Sequence, residues 1–148
     1  MINLPDTKNP ICIDVFNKTK EKLSLLATKS KLTNINDNFF KEIVIPLSVY
    51  FDSLKKSEEP FLIGLTGGQG SGKTTLSEFV QLILKEYFNR KSTGFSIDDI
   101  YKTKEERKEL GQSIHPLCEV RVVPGTHNVQ LGLDTLNSLY NADPDQIT

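Results

Sequence analysis

Between residues 38 and 56 the apolar side chains Phe39, Phe40, Ile43, Val44, Leu47, Tyr50, Phe51 and Leu54 recur three or four positions apart. That spacing lines one broad face of a helix and reads as packing surface. Pro46 lies inside the pattern and is expected to kink the helix or divide it in two. A polar break over 33–38 precedes it, with Asp37 as the expected N-cap. Further upstream, 14–31 is weakly helical. Val15, Phe16, Leu23, Leu25 and Leu26 sit among many lysines there, and the lysine face favours a solvated helix over a packed one. Residues 1 to about 12, with Pro5 and Pro10, read as an irregular arm.

The pattern changes at residue 61. Residues 61–66 form a short apolar run of the kind found in buried strands. After residue 75, Leu76, Phe79, Val80, Ile83, Tyr87 and Phe88 return to helical spacing. Between the two lies Gly67-Gly68-Gln69-Gly70-Ser71-Gly72-Lys73-Thr74-Thr75, which fits the phosphate-binding pattern G-x-x-x-x-G-K-[ST]. A Gly/Ser-rich turn that happens to match is the plain alternative. The agreement of strand, loop and helix weighs against it. Gly67 and Gly72 are expected to adopt angles that a Cβ forbids. Successive backbone N–H groups then form an anion nest at a helix N-terminus. Lys73 reaches the β- and γ-phosphates of a nucleotide, Thr74 offers a hydroxyl to Mg²⁺, and Thr75 supports the helix start.

Beyond a turn at 89–91, residues 92–97 read as a second strand, ending in Asp98-Asp99-Ile100-Tyr101. Acids at the carboxyl end of a strand are placed where ligands of open α/β sheets sit. The alternative is a pair of solvated acids capping the next helix. Thr103 and Glu106 have capping-box spacing, so a charged, solvated helix is expected over 103–111. There Arg107 is within chain reach of a phosphoryl group, although nothing local demands it. A loop-rich stretch follows, with Pro124-Gly125 as a tight turn and Thr126-His127-Asn128 dense in hydrogen-bonding groups. A helix is expected over 130–140, and a polar end over 141–148. The resulting fold class is α/β, a P-loop-type parallel sheet flanked by helices. The N-terminal arm and helices (1–57) lead into the start of a kinase-type domain (58–148).

Composition narrows the partners. The chain has 148 residues, 37% hydrophobic and 25% charged, with a net charge of −1. Such a balance gives no basic surface for nucleic acid. No apolar run approaches membrane-spanning length. Without a secretory leader pattern the expected compartment is the cytoplasm, with the nucleus as the alternative. Cys12 and Cys118 have neither metal nor redox spacing and read as buried thiols in a reducing compartment.

Three stretches taken together resemble one family. FLIGLTGGQGSGKTTL (61–76), FSIDDIY (95–101) and PGTHN (124–128) are similar to the D-glycerate 3-kinase-like P-loop kinases. The fungal members of that family are described as ATP-dependent kinases, and uridine kinase and pantothenate kinase are its relatives. Ile45-Pro46-Leu47-Ser48 also looks like the family's lead-in. The resemblance covers about residues 38–140 and implies transfer of the γ-phosphoryl group of Mg-ATP to a glycerate-like hydroxyl acceptor.

By the same resemblance, 67–75 holds the ATP phosphates. Asp98 is general base toward the acceptor, and Asp98 or Asp99, with Thr74, helps organise Mg²⁺. Asp99, Tyr101, Arg121, Thr126 and His127 lie near the acceptor. Two positions depart from the family's pattern. Val122 stands where a glycine is usual, and Asn128 where an aspartate is. Family members are also about twice as long by this resemblance, and no later strand ending in an acid supplies a Walker B carboxylate. The reading favours a truncated ancestral kinase over a fragment of a longer protein or a chain whose sheet a second chain completes. A non-catalytic nucleotide-binding remnant is the alternative function.

Overall fold

A computed structural model describes residues 3–32, 35–57 and 59–141 of the chain. The polar end over 142–148 and parts of the breaks near 33 and 58 lie outside the described residues. The chain divides into two compact units, Met1–Thr93 and Gly94–Thr148, and each is described by itself.

In the first unit, helix α1 (Pro10–Lys29) starts where the Asn9 side chain accepts the Ile11 N–H at 3.1 Å, with Pro10 in the first helical position. That position suits proline, whose missing N–H would find no intrahelical partner there. The solvated-helix reading of this segment is corrected. Cys12, Val15, Thr19, Leu23 and Ala27 form a buried stripe, and the lysines occupy the other faces. Two small residues and a threonine conceal the stripe from a count of large apolar side chains. Thr19 is compatible with burial because its hydroxyl donates to the Val15 carbonyl at 2.7 Å.

The next helical run is capped one residue earlier than expected. Asn36, not Asp37, accepts the N–H groups of Asn38 and Phe39 at 3.1 and 3.2 Å. The run passes from α2 (Asp37–Phe39) through a π-helical turn (Phe40–Val44) into α3 (Ile45–Leu54). The run is thus not divided at Pro46; it stays helical and changes register in the turn before the proline. The proline nitrogen cannot donate, and the adjoining Ile45 N–H reaches back five residues to the Phe40 carbonyl. Of the expected apolar face Phe40 and Val44 are buried and Phe39, Leu47 and Phe51 pack partly buried against the core, whereas Ile43 is exposed and Ile45 and Val49, outside the expected stripe, are buried.

Helix α4 (Lys73–Glu86) completes the core with Phe79, Val80, Ile83 and Leu84. Phe79 sits edge-on to Phe40 at 5.2 Å and to Phe39 at 6.2 Å. Each such pair adds about 0.5–1.5 kcal/mol beyond the area it buries. Polar contacts fix the helices at their margins. Tyr87 donates to Asp14 at 2.6 Å, Arg90 pairs with Asp52 at 2.8 Å, and Lys22 pairs with Glu86.

The second unit has little apolar burial. A 3₁₀ turn (Ile97–Ile100) leads to an isolated antiparallel bridge between Tyr101 and His127. Helix α5 (Lys104–Ser113) has the expected capping box. Thr103 accepts the Glu106 N–H at 3.2 Å, and Glu106 accepts the Thr103 N–H at 2.7 Å. A 3₁₀ turn (Pro116–Glu119) lies against α5, with Glu119 pressed on Gly111. Helix α6 (Val129–Asn141) follows. Among the described residues only Gly111, Cys118, Thr126 and Gly132 of this unit are buried. Gly132 permits close approach, since a Cβ there would lie 2.9 Å from Ile100 Cδ1.

The parallel α/β sheet expected from the sequence is not the observed architecture. The chain is mostly helical, and no strand occurs among the described residues. Segments 61–66 and 92–97 have no regular structure until the 3₁₀ turn begins at Ile97, and no described residue hydrogen-bonds them into a ladder. Phe61, Leu62, Ile63 and Leu65 are exposed, Leu62 by 61%. An apolar run states a preference for burial. A strand also needs neighbouring backbone in register, which the run itself does not encode.

Candidate functional site

The loop over 67–75 belongs to the first unit and turns directly into α4. Gly70 and Gly72 take positive φ, +71° and +82°, where L-residues are strained. Gly67 serves differently from the expectation. It has no positive φ, but a Cβ on it would meet Ser71 Oγ at 3.0 Å, so its role is space. The Ser71 N–H donates to the Gly68 carbonyl at 3.3 Å and closes the turn.

Gly72 caps α4 with its backbone only, its carbonyl accepting the Leu76 N–H at 2.8 Å. Among the described residues, nothing accepts the N–H groups of Gly70, Gly72, Lys73, Thr74 and Thr75. These donors stand at the positive end of a 14-residue helix.

Lys73 Nζ folds back over the loop and donates to the carbonyls of Gly67 and Gly68 at 2.9 and 2.8 Å. Both acceptors are neutral, and no carboxylate pairs with this ammonium among the described residues. Charged phosphate oxygens are stronger acceptors than carbonyls, so an entering phosphate can take over these donations. Gln69, Ser71 and Thr74 are exposed at the rim, and Thr75 is half-buried. The donor set fits nucleotide phosphates. No group of three His, Cys, Asp or Glu able to hold a metal occurs among the described residues. Mg²⁺ ordinarily keeps several waters and binds through one or two protein oxygens plus phosphates, a role the Thr74 hydroxyl can fill.

The remaining site residues fall in the second unit. The two acids differ. The Asp99 carboxylate accepts the Ser96 N–H at 2.8 Å and closes a capping box, so it serves the turn. Asp98 donates its backbone N–H to Ser96 Oγ at 3.1 Å, and its exposed carboxylate has no partner among the described residues. Tyr101, Arg121 and His127 do come together. The Tyr101 and His127 rings stack at 4.1 Å, and the Arg121 guanidinium lies 5.3 Å from the Tyr101 ring centre. Two backbone bonds frame the stack, Lys102 N–H to Thr126 at 2.9 Å and Asn128 N–H to Ile100 at 2.7 Å.

Thr126 is fully buried, and its hydroxyl donates to the Val123 carbonyl at 2.6 Å. It shapes the turn. His127 Nε2 is buried without a partner among the described residues. Arg107, a remote candidate for phosphate, is occupied by the Lys102 and Glu119 carbonyls at 2.6 and 3.2 Å.

Sequence reasoning missed one contributor, Ser96, and the capping role of another, Asn128. Ser96 caps the acid-bearing turn, and the serine two residues before Asp98 was the available signal. Asn128 accepts the Leu131 N–H at 3.0 Å and so starts α6. This explains how asparagine keeps the local shape in a place where the family usually has aspartate.

No family model matches the chain, and no solved structure does. Three named proteins are similar to it. The Saccharomyces cerevisiae protein named "Probable ATP-dependent kinase TDA10" is 37% identical over 95 residues, which cover 60% of this chain and 33% of that protein. The Schizosaccharomyces pombe protein named "Uncharacterized kinase mug58" is 33% identical over 96 residues, covering 64% of this chain and 34% of that one. The chloroplastic D-glycerate 3-kinase of Arabidopsis thaliana is 37% identical over 82 residues, covering 54% of this chain and 18% of that one. The chain thus spans about a third of the length of the two fungal relatives. These relatives bear out the resemblance to the D-glycerate 3-kinase-like kinases.

Proposed function

We propose that this relative of named kinases binds Mg-ATP on its glycine-rich loop and serves transfer of the γ-phosphoryl group to a hydroxyl acceptor of glycerate type. The observation that carries the reading is the set of N–H donors of Gly70, Gly72, Lys73, Thr74 and Thr75, without acceptors among the described residues, in the loop over which the Lys73 ammonium folds back. ATP, when bound, supplies the transferable phosphoryl group. The chain's own part is to hold and orient it, since phosphoryl transfer depends on positioning and charge neutralisation more than on covalent help from the protein. The loop N–H groups and Lys73 bind phosphate oxygens, and Thr74 offers its hydroxyl toward Mg²⁺. Asp98 is the carboxylate with free acceptor capacity, suited to take the proton of an acceptor hydroxyl. The Tyr101–Arg121–His127 stack is the candidate acceptor surface, with Arg121 attracting an anionic substituent. Two buried free thiols, Cys12 and Cys118, accord with a reducing, cytosolic setting. No described helix is long and apolar enough to cross a membrane.

The proposed phosphate-binding donors all belong to the first unit and the carboxylates Asp98 and Asp99 to the second. That favours a second reading, a nucleotide-binding protein without catalysis. Melting of the chain with and without Mg-ATP tests binding, because a ligand of the folded state alone raises the transition temperature. The rise is expected to disappear in Lys73→Ala; equal rises in both proteins would remove the loop from nucleotide binding. ATP turnover that depends on an added acceptor then separates kinase from non-catalytic binder. Asp98→Asn is expected to lose this turnover and keep the thermal shift, whereas full turnover would exclude Asp98 as the base.

A further inference from the structure

Val122 has φ +80°, alone among the β-branched residues described, and is 81% exposed. The left-handed region brings Cβ against the following carbonyl, and a β-branched residue is a true outlier there. Burial of the Val122 side chain does not offset that cost. Its neighbours on both sides are anchored. Arg121 lies over the Tyr101 ring at 5.3 Å. Val123 is held through its carbonyl, which accepts the Thr126 N–H at 3.2 Å and the Thr126 hydroxyl at 2.6 Å. Val122 is the link between an anchored turn and a stacked cation.

We propose that Val122 is a strained hinge that sets the position of Arg121. With Val122 left-handed, Arg121 rests on the Tyr101–His127 stack; when Val122 returns to negative φ, Arg121 swings free of it. The energies are matched well enough for two states to coexist. A left-handed L-residue is disfavoured by roughly 5- to 30-fold. An exposed cation–π contact returns about two- to fivefold. The inference concerns this turn alone and does not depend on the kinase reading.

The test is the NMR position of the Arg121 side-chain protons in the full chain, since a ring beneath them moves their signals upfield. Tyr101→Leu gives the reference without that ring. Val122→Gly removes the steric cost and is expected to move the Arg121 signals further upfield, as about a tenfold gain in the left-handed state requires. Val122→Asn, which tolerates the same region, is expected to move them the same way by less. Slowed exchange of the Asn128 amide, which donates to Ile100 at 2.7 Å, reports that each variant is folded. Arg121 signals that stay at the wild-type position in Val122→Gly overturn the proposal. So do signals that move toward the Tyr101→Leu position.

Discussion

The two units are held together by different means. Met1–Thr93 closes around twelve buried apolar residues, among those described, from three helical runs, and its polar contacts sit at the margins of that core. Gly94–Thr148 buries only two glycines, a cysteine and a threonine among its described residues, while Ile114, Leu117 and Val120 are exposed. Its order comes from capping boxes, an isolated bridge and an arginine held by two carbonyls. A hydrogen bond contributes about 1 kcal/mol net, because water offers the unfolded chain a similar bond, whereas a buried phenylalanine contributes several. Local polar contacts therefore carry more of the second unit's definition than burial does. The candidate residues of each unit share its character. The phosphate loop opens a helix that is anchored in a core, and the acid and ring stack stand on turns.

The largest effect that bears on this contrast is expected from Phe79→Ala. Phe79 is 1% exposed and touches two other rings, so truncation should cost about 3–5 kcal/mol in denaturant unfolding. Leu133→Ala on α6, where the side chain is 50% exposed, should change stability by less than about 0.5 kcal/mol. Comparable losses at the two positions would mean that Leu133 is covered in solution, and the contrast would fail.

Arg107→Ala is next. The guanidinium joins the Lys102 carbonyl to that of Glu119 and so ties the start of α5 to the 3₁₀ turn packed on it. Hydrogen bonds from a charged donor suggest a loss of about 2 kcal/mol, read as faster amide exchange in α5. Lysine should not restore it, having a compact ammonium in place of a planar fork. Exchange that stays slow in Arg107→Ala would show that the unit rests on something other than this tie.

Caps give a smaller effect of the same size in both units. Asn9→Ala before α1 and Thr103→Ala before α5 each remove a side-chain acceptor for a helix N–H. Each should cost about 1 kcal/mol. Helix α1 also has its buried stripe, so its amides should remain protected while those of α5 do not. Equal exposure of both helices would mean that burial does not distinguish them.

What the sequence disclosed follows the same division. The helical character of 38–56 and the helix after Lys73 were legible because large apolar side chains recur at a 3.6-residue period, although the buried face of 38–56 is turned toward Ile45 and Val49 and away from Ile43. The phosphate loop was legible because its chemistry is local: nine consecutive residues carry the donors, the cation and the turns. The capping box of Thr103 and Glu106 was legible for the same reason. Burial of α1 was missed because Cys12, Thr19 and Ala27 carry part of its buried face. The sheet was misread because pairing is a relation between distant segments, and 61–66 states only that it is apolar. The division of labour between Asp98 and Asp99 was open as well. Identical side chains one residue apart are told apart only by the direction each takes from the backbone, and Ser96 decides it.

The smallest expected effect is a pH dependence, and it sets one carboxylate of each unit against the other. Hydrogen bonds from Tyr87 first, then Lys18, hold Asp14 below the usual aspartate range. The same bond, seen from its donor, pushes the Tyr87 hydroxyl up. Glu106 is likewise held below the usual glutamate range, chiefly by the Thr103 N–H that it accepts in the capping box. A carboxyl depressed in the folded state stabilises fully above its unfolded value, about 3.9 for aspartate and 4.3 for glutamate, and loses that contribution as pH falls through the folded value. Acidification below about pH 4 should therefore weaken both contacts. Both groups are solvent-exposed, so each shift should be slight and smaller at high salt. In the first unit Asp14→Asn should flatten the acid limb of the melting curve slightly, the core keeping α1 in place. In the second, protonation of Glu106 should speed exchange of the α5 amides, and Glu106→Gln should make that exchange insensitive to pH over the same range. If α5 exchange in the wild type, corrected for its intrinsic pH dependence, is flat from pH 6 to pH 3, the capping box is not what holds this helix, and the contrast between the units loses its electrostatic part.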